Sequence, residues 1–293
     1  MKNGILFLFL LSIQVIYAQT VKYSPKYFGP NANPVPEFTD AMIPAKTTIS
    51  LMGDYYFGFR DETKNGYIKI EVPLLTERVS LKVWSSVLEN YTTTDSVSLA
   101  RNSLNNNTSG TANGDIYVQT RILITKESKK FPAIILNSTL KSASGSNFKE
   151  RRYFDTPGYY FDVEFGKSFH TKSKLISEIR TVANLGFMCW ETTNSVQDDA
   201  TMYGGKIIMG NENWKLENTV AGYRGWMNIR DKTYGDIPLV YTAKFTKITK
   251  NINYFAQYQY GINDFPYHQL RLGVSFTLAK LTPKYGPLTP KGE

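Results

Sequence analysis

Apolar and polar residues alternate with a period of two along most of the chain, as in a strand whose two faces meet different surroundings. Near the C-terminus Leu270, Leu272, Val274, Phe276 and Leu278 fall on one face, and Gln269, Arg271, Gly273, Ser275 and Thr277 on the other. Such a run has the length a strand needs to cross a bilayer, roughly 9–11 residues. Upstream the pattern recurs. Ile49, Leu51, Tyr55, Phe57 and Phe59 oppose Ser50, Asp54, Tyr56 and Arg60. Ile68, Ile70 and Val72 oppose Lys69 and Glu71, and Val79, Leu81 and Val83 oppose Ser80, Lys82 and Trp84. Ile116, Val118, Ile122 and Ile124 oppose Tyr117, Gln119 and Arg121, and Ile134, Leu136 and Leu140 oppose Asn137, Thr139 and Lys141. Tyr159, Phe161, Val163 and Phe165 oppose Tyr160, Asp162, Glu164 and Ser168. Ile179, Ala183, Leu185 and Phe187 oppose Glu178, Arg180 and Asn184. Residues 202–211 and 214–226 are strand-like with mixed faces. Segments 237–248 and 252–262 recover the alternation, with Leu239, Tyr241, Ala243 and Phe245, then Tyr254, Ala256, Tyr258 and Tyr260, on the apolar face.

These segments predict about twelve strands and an all-β fold, an antiparallel up-and-down transmembrane β-barrel with its apolar face on lipid and its polar face on the lumen. The connections support this. Those after odd strands span 61–65, 92–113, 145–158, 191–201, 228–235 and 263–267. The intervening ones centre on 75–78, 125–130, 170–174, 211–213 and 249–251. The first set contains every very long loop, and barrels alternate long outer loops with short periplasmic turns. A soluble exported β-sandwich explains the alternation of residues but not this alternation of loops. Phe59, Tyr159 and Tyr260 are expected at the outer membrane interface, and Phe169 and Tyr254 at the inner one.

Outside the barrel, residues 47–279, three segments stand apart. Residues 1–18 read as a signal peptide, with Lys2, an apolar core from Ile5 to Ile16, and Ala18 at the cleavage site. That core is too short to span a bilayer as a helix. Residues 19–46 carry Pro25, Pro30, Pro34, Pro36 and Pro44 and cannot form a central strand or helix. This extension is expected either in the periplasm or in the lumen as a plug. Residues 280–293 form a basic, Pro-rich tail. The expected location is the outer membrane, with its lipid as a partner.

Composition narrows the chemistry. With 20 Tyr and 17 Phe but only 20% charged residues, the chain matches a barrel wetted on one face. The single cysteine, Cys189, permits no intrachain disulfide, and its parity places it outward at a strand end. A formal net charge of +9 has no basic helix or nucleic-acid motif to serve, so it is assigned to the lumen or to lipid head groups. The candidate lumen-lining residues are Lys69, Glu71, Lys82, Arg121, Lys141, Asp162, Glu164, Glu178, Arg180, Lys206, Lys244 and Arg271. They fit either an electrostatic network that fills and stiffens the barrel or a selectivity lining that favours anions. No catalytic group, metal site or cofactor is expected. The two histidines, His170 and His268, fall near a turn and a loop, away from any nucleophile and without zinc-ligand spacing. Asp198 and Asp199 are expected in a solvated loop.

Three segments carry a family resemblance: Tyr27-Phe-Gly-Pro-Asn-Ala-Asn-Pro-Val-Pro36, Gly114-Asp-Ile-Tyr-Val-Gln-Thr-Arg121 and Asp155-Thr-Pro-Gly-Tyr-Tyr-Phe-Asp162. They resemble a group of Gram-negative outer-membrane barrels that is similar to barrels associated with meta-pathway phenol degradation, and more distantly to long-chain fatty-acid transporters. The resemblance covers 47–279 as an architecture and implies uptake of small hydrophobic or aromatic compounds. The leading expectation is a barrel that passes or binds a small solute. Its alternatives are a structural or docking barrel with a filled lumen and the soluble sandwich.

Overall fold

The computed structural model describes residues 22–74, 78–192 and 196–283. The chain forms β1 (Thr47–Phe57), β2 (Glu62–Pro73), β3 (Val79–Thr92), α1 (Asp95–Ala100), β4 (Ser109–Ala112), β5 (Ile116–Thr125), β6 (Ala133–Lys141) and β7 (Gly158–His170). It continues with β8 (Glu178–Thr192), β9 (Val196–Asn211), β10 (Trp214–Gly225), β11 (Leu239–Lys247), β12 (Ile252–Asn263) and β13 (His268–Leu278). Each pairing is antiparallel. β1 bonds to β13 on one side and β2 on the other, and β2 bonds to β3, which bonds to β5 and so round to β12. Twelve strands therefore close on themselves, which satisfies every edge and excludes the two-sheet sandwich. The thirteenth, β4, is extra: it pairs only with the last four residues of β3 and extends the wall above that point.

Lipid and lumen faces follow the period of two. Leu51, Ile116, Val118, Leu140, Phe161, Leu185, Leu270 and Leu272 are exposed on the outside. Asp54, Lys82, Gln119, Arg121, Asn137, Asp162, Glu164, Arg180, Gln269 and Arg271 are buried on the inside. Aromatic rings collect at the long-loop end of the outer face: Phe57, Tyr258, Tyr260 and His268 pack together, with the Tyr258 hydroxyl 2.9 Å from His268 Nδ1. Tyr159 stands against Phe161 nearby in sequence. Phe169 and Tyr254 are exposed at the opposite end.

The structure corrects several expectations. The loop foreseen at 191–201 is largely strand, because β8 runs to Thr192 and β9 starts at Val196. The two strands keep pairing toward the long-loop end, Met188 with Ala200 and Gly186 with Met202, and all but the glycine of these are buried. Asp199 is therefore a strand residue opposite Cys189, and Cys189 is buried, not lipid-facing. The reversal after β1 occupies only 58–61, since β2 already begins at Glu62. It is tight because Gly58 (φ 115°), Phe59 (φ 52°) and Arg60 (φ 55°) all take left-handed conformations. Consequently Phe59 packs against the interior cluster instead of joining the aromatic girdle, and Arg60 is exposed instead of facing inward. The connection at 92–113 is structured, containing α1 and β4. The expected signal peptide and most of the C-terminal tail lie outside the described residues.

Residues 22–46 run through the barrel. Lys22 touches the loop between β10 and β11 through Asp231 at 2.8 Å and Thr233 at 2.7 Å, at the long-loop end. Farther along, Asn33 donates to the Tyr223 hydroxyl at 3.0 Å and Glu37 meets the wall at Arg271 at 2.6 Å. Asp40 and Ala41 then lie against Arg180 near the short-turn end, where β1 begins at Thr47. Beyond one 3-10 turn at Pro25–Tyr27, proline excludes helix and ladder pairing here, and backbone groups of Phe38 to Ala41 find partners on the inner wall.

Candidate functional site in the lumen

The interior contacts form three tiers. At the long-loop end, the loop between β6 and β7 folds inward and buries Arg151, Arg152, Tyr153 and Phe154. Arg152 donates to Glu89 Oε1 at 2.8 Å, Asp61 Oδ2 at 2.7 Å and Thr63 Oγ1 at 2.7 Å. Arg101 adds a second guanidinium at 2.6 Å from Asp61. Tyr153 and Asn31 both donate to Glu89 Oε2, at 2.8 and 2.7 Å. Burial by itself raises a carboxyl, but Arg152, followed by Arg101, outweighs it and holds Asp61 below its ordinary value. Phe28 stacks edge-on to Phe154 at 4.4 Å, so the segment and the loop close this end together.

Glu89 points inward only because of a β-bulge. Gly66 on β2 faces Leu88, and Tyr67 faces Ser86, which leaves Val87 unpaired. One extra residue shifts the parity of everything after it. Ser80, Lys82 and Ser86 are buried before the bulge, and Glu89 and Tyr91 after it. Simple alternation along β3 assigns Glu89 to lipid, so sequence reading missed it.

The middle tier joins the segment to the wall. Glu37 is bound by Lys69 at 3.0 Å and Arg271 at 2.6 Å, and Arg271 also grips Asp54 at 2.5 Å. Glu164 accepts from the Thr39 backbone at 2.8 Å, the Thr39 hydroxyl at 2.7 Å and the Ala41 backbone at 3.0 Å. Arg121 reaches Glu71 at 2.6 Å and also bonds the Thr39 hydroxyl. Lys206 donates to the Phe38 carbonyl at 2.6 Å, and both Lys206 and Lys244 lie by Glu217, at 3.5 and 3.2 Å. Gly204 lies under the Phe38 ring, where a Cβ would collide with it. Here β9, β10 and β11 turn Met202, Ile208, Ala221 and Val240 inward. Val35 and Phe38 of the segment share a cluster with Met202, Ala221 and Val240, which is why 202–211 and 214–226 lack a clean polar face.

In the lower tier Arg180 bonds the Asp40 carbonyl at 2.6 Å, the Ser168 hydroxyl at 2.7 Å and Glu127 at 2.6 Å, and the Ser168 hydroxyl also donates to Glu178. Lys141 pairs with Asp115 at 2.7 Å at the other end. Asp162 accepts from Asn137 and Asn184, each at 2.7 Å. Thus Lys69, Glu71, Lys82, Arg121, Lys141, Asp162, Glu164, Glu178, Arg180, Lys206, Lys244 and Arg271 all sit inside the barrel. Glu37, Asp61, Glu89, Asp115, Glu127 and Glu217 join them, as partners the sequence did not single out. One signal existed. The twelve hold eight cations and four carboxylates, an imbalance that a low-dielectric interior does not tolerate without further acids.

The lumen is not filled. A cavity lies between the segment and Trp84, Tyr117 and Trp190. A second, of about 260 Å³, lies between the segment and β9–β12. A third, of about 270 Å³, lies lower down beside Ser50, Phe255 and Ser275. Glu37 and Lys69 line all three. Among the described residues no group of three or more His, Cys, Asp or Glu is placed to hold a metal ion.

The closed sheet and its lipid-facing girdle define an outer-membrane β-barrel, with a charged lumen occupied by its own N-terminal segment. Known structures share that fold. An outer-membrane channel from Pseudomonas putida F1 superimposes with a TM-score of 0.56 and 10% identity, over 83% of this chain and 100% of that one. The NanC porin does so with a TM-score of 0.51 and 11% identity, over 78% of this chain and 100% of that one. At this identity the likeness is one of fold. No family model and no curated protein matches the chain.

Proposed function

We propose that this protein is an outer-membrane barrel that takes up a small solute, and that its N-terminal segment is a plug whose movement at Glu37 opens the path. The carrying observation is that three lumenal cavities adjoin Glu37 and Lys69. Residues of a moving plug sit at the junction of the spaces they divide, whereas a strut would be enclosed by packed side chains. The charged residues around the junction are the selectivity lining of this reading. The resemblance to barrels associated with phenol degradation agrees with it and is itself part of the proposal.

Conductance of refolded, heat-modifiable protein in a planar bilayer tests the reading. The full chain is expected to give brief, infrequent openings. Glu37→Gln weakens both ion pairs and is expected to raise the open fraction several-fold. Identical silence from both proteins argues instead for the docking barrel, which the density of buried ion pairs favours as the second reading. Steady openings of the unaltered protein exclude a plug.

A further inference from the structure

We propose that Lys82 is the anchor of a binding site for a small monocarboxylate with an apolar body. This deepens, and rests on, the uptake reading above. Lys82 is 4% exposed. Among the described residues its ammonium makes neither an ion pair nor a hydrogen bond; it lies 4.9 Å from the centroid of the Trp84 ring, and the Glu71 and Glu164 carboxylates act on it only from a distance. Its neighbours in register do not bond it. Glu71, opposite it on β2, is bound through Oε1 by Arg121 at 2.6 Å and the Ser80 hydroxyl at 2.7 Å. Gln119, opposite it on β5, gives its amide to Thr139 at 2.8 Å, and its side-chain oxygen has no hydrogen-bond partner among the described residues. Asp162 is held by two asparagine amides. By contrast, the buried Arg121, Lys141, Lys206 and Arg271 each have a carboxylate. An enclosed ammonium without an acceptor is costly, and an incoming anion relieves that cost.

The shape supplies the rest. Lys82 lines both the aromatic cavity and the cavity of about 260 Å³ beside it. The latter exceeds the roughly 150 Å³ that admits a benzene ring in an apolar core. Ile208, Ala221 and Val240 give it an apolar wall. A ligand with its carboxylate on Lys82 and its body against that wall satisfies both features. A bare inorganic anion makes no use of that wall, and a neutral ring leaves Lys82 unpaired.

Calorimetric titration of the refolded full chain in detergent, with heat-modifiability as the check on folding, tests the site. Three probes suffice: benzoate, benzyl alcohol and acetate. Benzoate is expected to bind saturably, with the other two at least tenfold weaker. Lys82→Gln is expected to weaken benzoate at least tenfold and leave benzyl alcohol unchanged, and Lys82→Arg to keep benzoate binding. Equal affinities for benzoate and benzyl alcohol in the unaltered protein, or full benzoate affinity in Lys82→Gln, would overturn the proposal, as would no saturable benzoate binding. Conductance separates the two readings. Benzoate binding without ion passage keeps the site and removes the open path, and passage without benzoate binding removes the site alone.

Discussion

The ammonium of Lys22 lies 2.8 Å from the Asp231 carboxylate. That contact ties the start of the described chain to the loop between β10 and β11, at the end of the barrel opposite the start of β1. Lys22, followed by Thr233, holds Asp231 down to about 2, so the tie persists throughout ordinary pH. The segment therefore traverses the lumen from the long-loop end to the short-turn end.

The first prediction is topological. In a Cys189→Ser background, Lys22→Cys is expected to react with a membrane-impermeant maleimide on intact cells, as Lys232→Cys in the adjoining loop does. Lys172→Cys, in a short turn, is expected to react only after lysis. A Lys22→Cys protein that labels only in lysed cells would show that the segment does not pass through the barrel to the outside.

The second concerns acid. Asp61 has its folded pKa lowered by Arg152 and Arg101. Its contribution is thus complete above the unfolded value, roughly 3.9, and is lost as pH falls through the lower folded value. Asp61→Asn removes the charge that two buried guanidiniums share and is expected to cost about 3 kcal/mol. Urea titrations at a series of pH values check this. The unaltered protein should lose stability below about pH 4, and the variant should start lower and change less across that window.

The third follows from the bulge. Deleting Val87 alone removes the extra residue and keeps Leu88 outward and Glu89 and Tyr91 inward, in unbroken alternation with Ser86. Deleting Val87 and Leu88 together turns Glu89 and Tyr91 outward, so that Arg152 loses a carboxylate and a charge meets the outer face. The double deletion is expected to abolish heat-modifiable folding, while the single deletion is expected to fold. A double-deletion protein that still shifts on heating would mean that β3 folds without needing Glu89 inside.

Alternation in the sequence is a covalent property, because side chains on a strand must point to opposite sides. Hence the strands, their lipid faces and the inward set from Lys69 to Arg271 were legible from residue order alone. So was the side on which the long loops gather. What the order of residues does not contain is the count of residues on a neighbouring strand. The bulge at Val87 exists only relative to β2, and it alone decides that Glu89 faces in. The left-handed turn at Gly58–Arg60 likewise moved Phe59 from the girdle to the interior.

The path of the Pro-rich segment was beyond sequence reading for a similar reason. Proline states which structures residues 22–46 cannot form, and the wall decides what they do form. Glu37 finds Lys69 and Arg271, Thr39 finds Glu164 and Arg121, and Phe38 finds the gap over Gly204. These partners come from β2, β5, β7, β9 and β13, and only closure of the barrel brings them round one axis. The sequence by itself determined the barrel fold. The tertiary structure decided what occupies the lumen and left Lys82 without an acceptor, because both depend on distances between strands far apart in the chain.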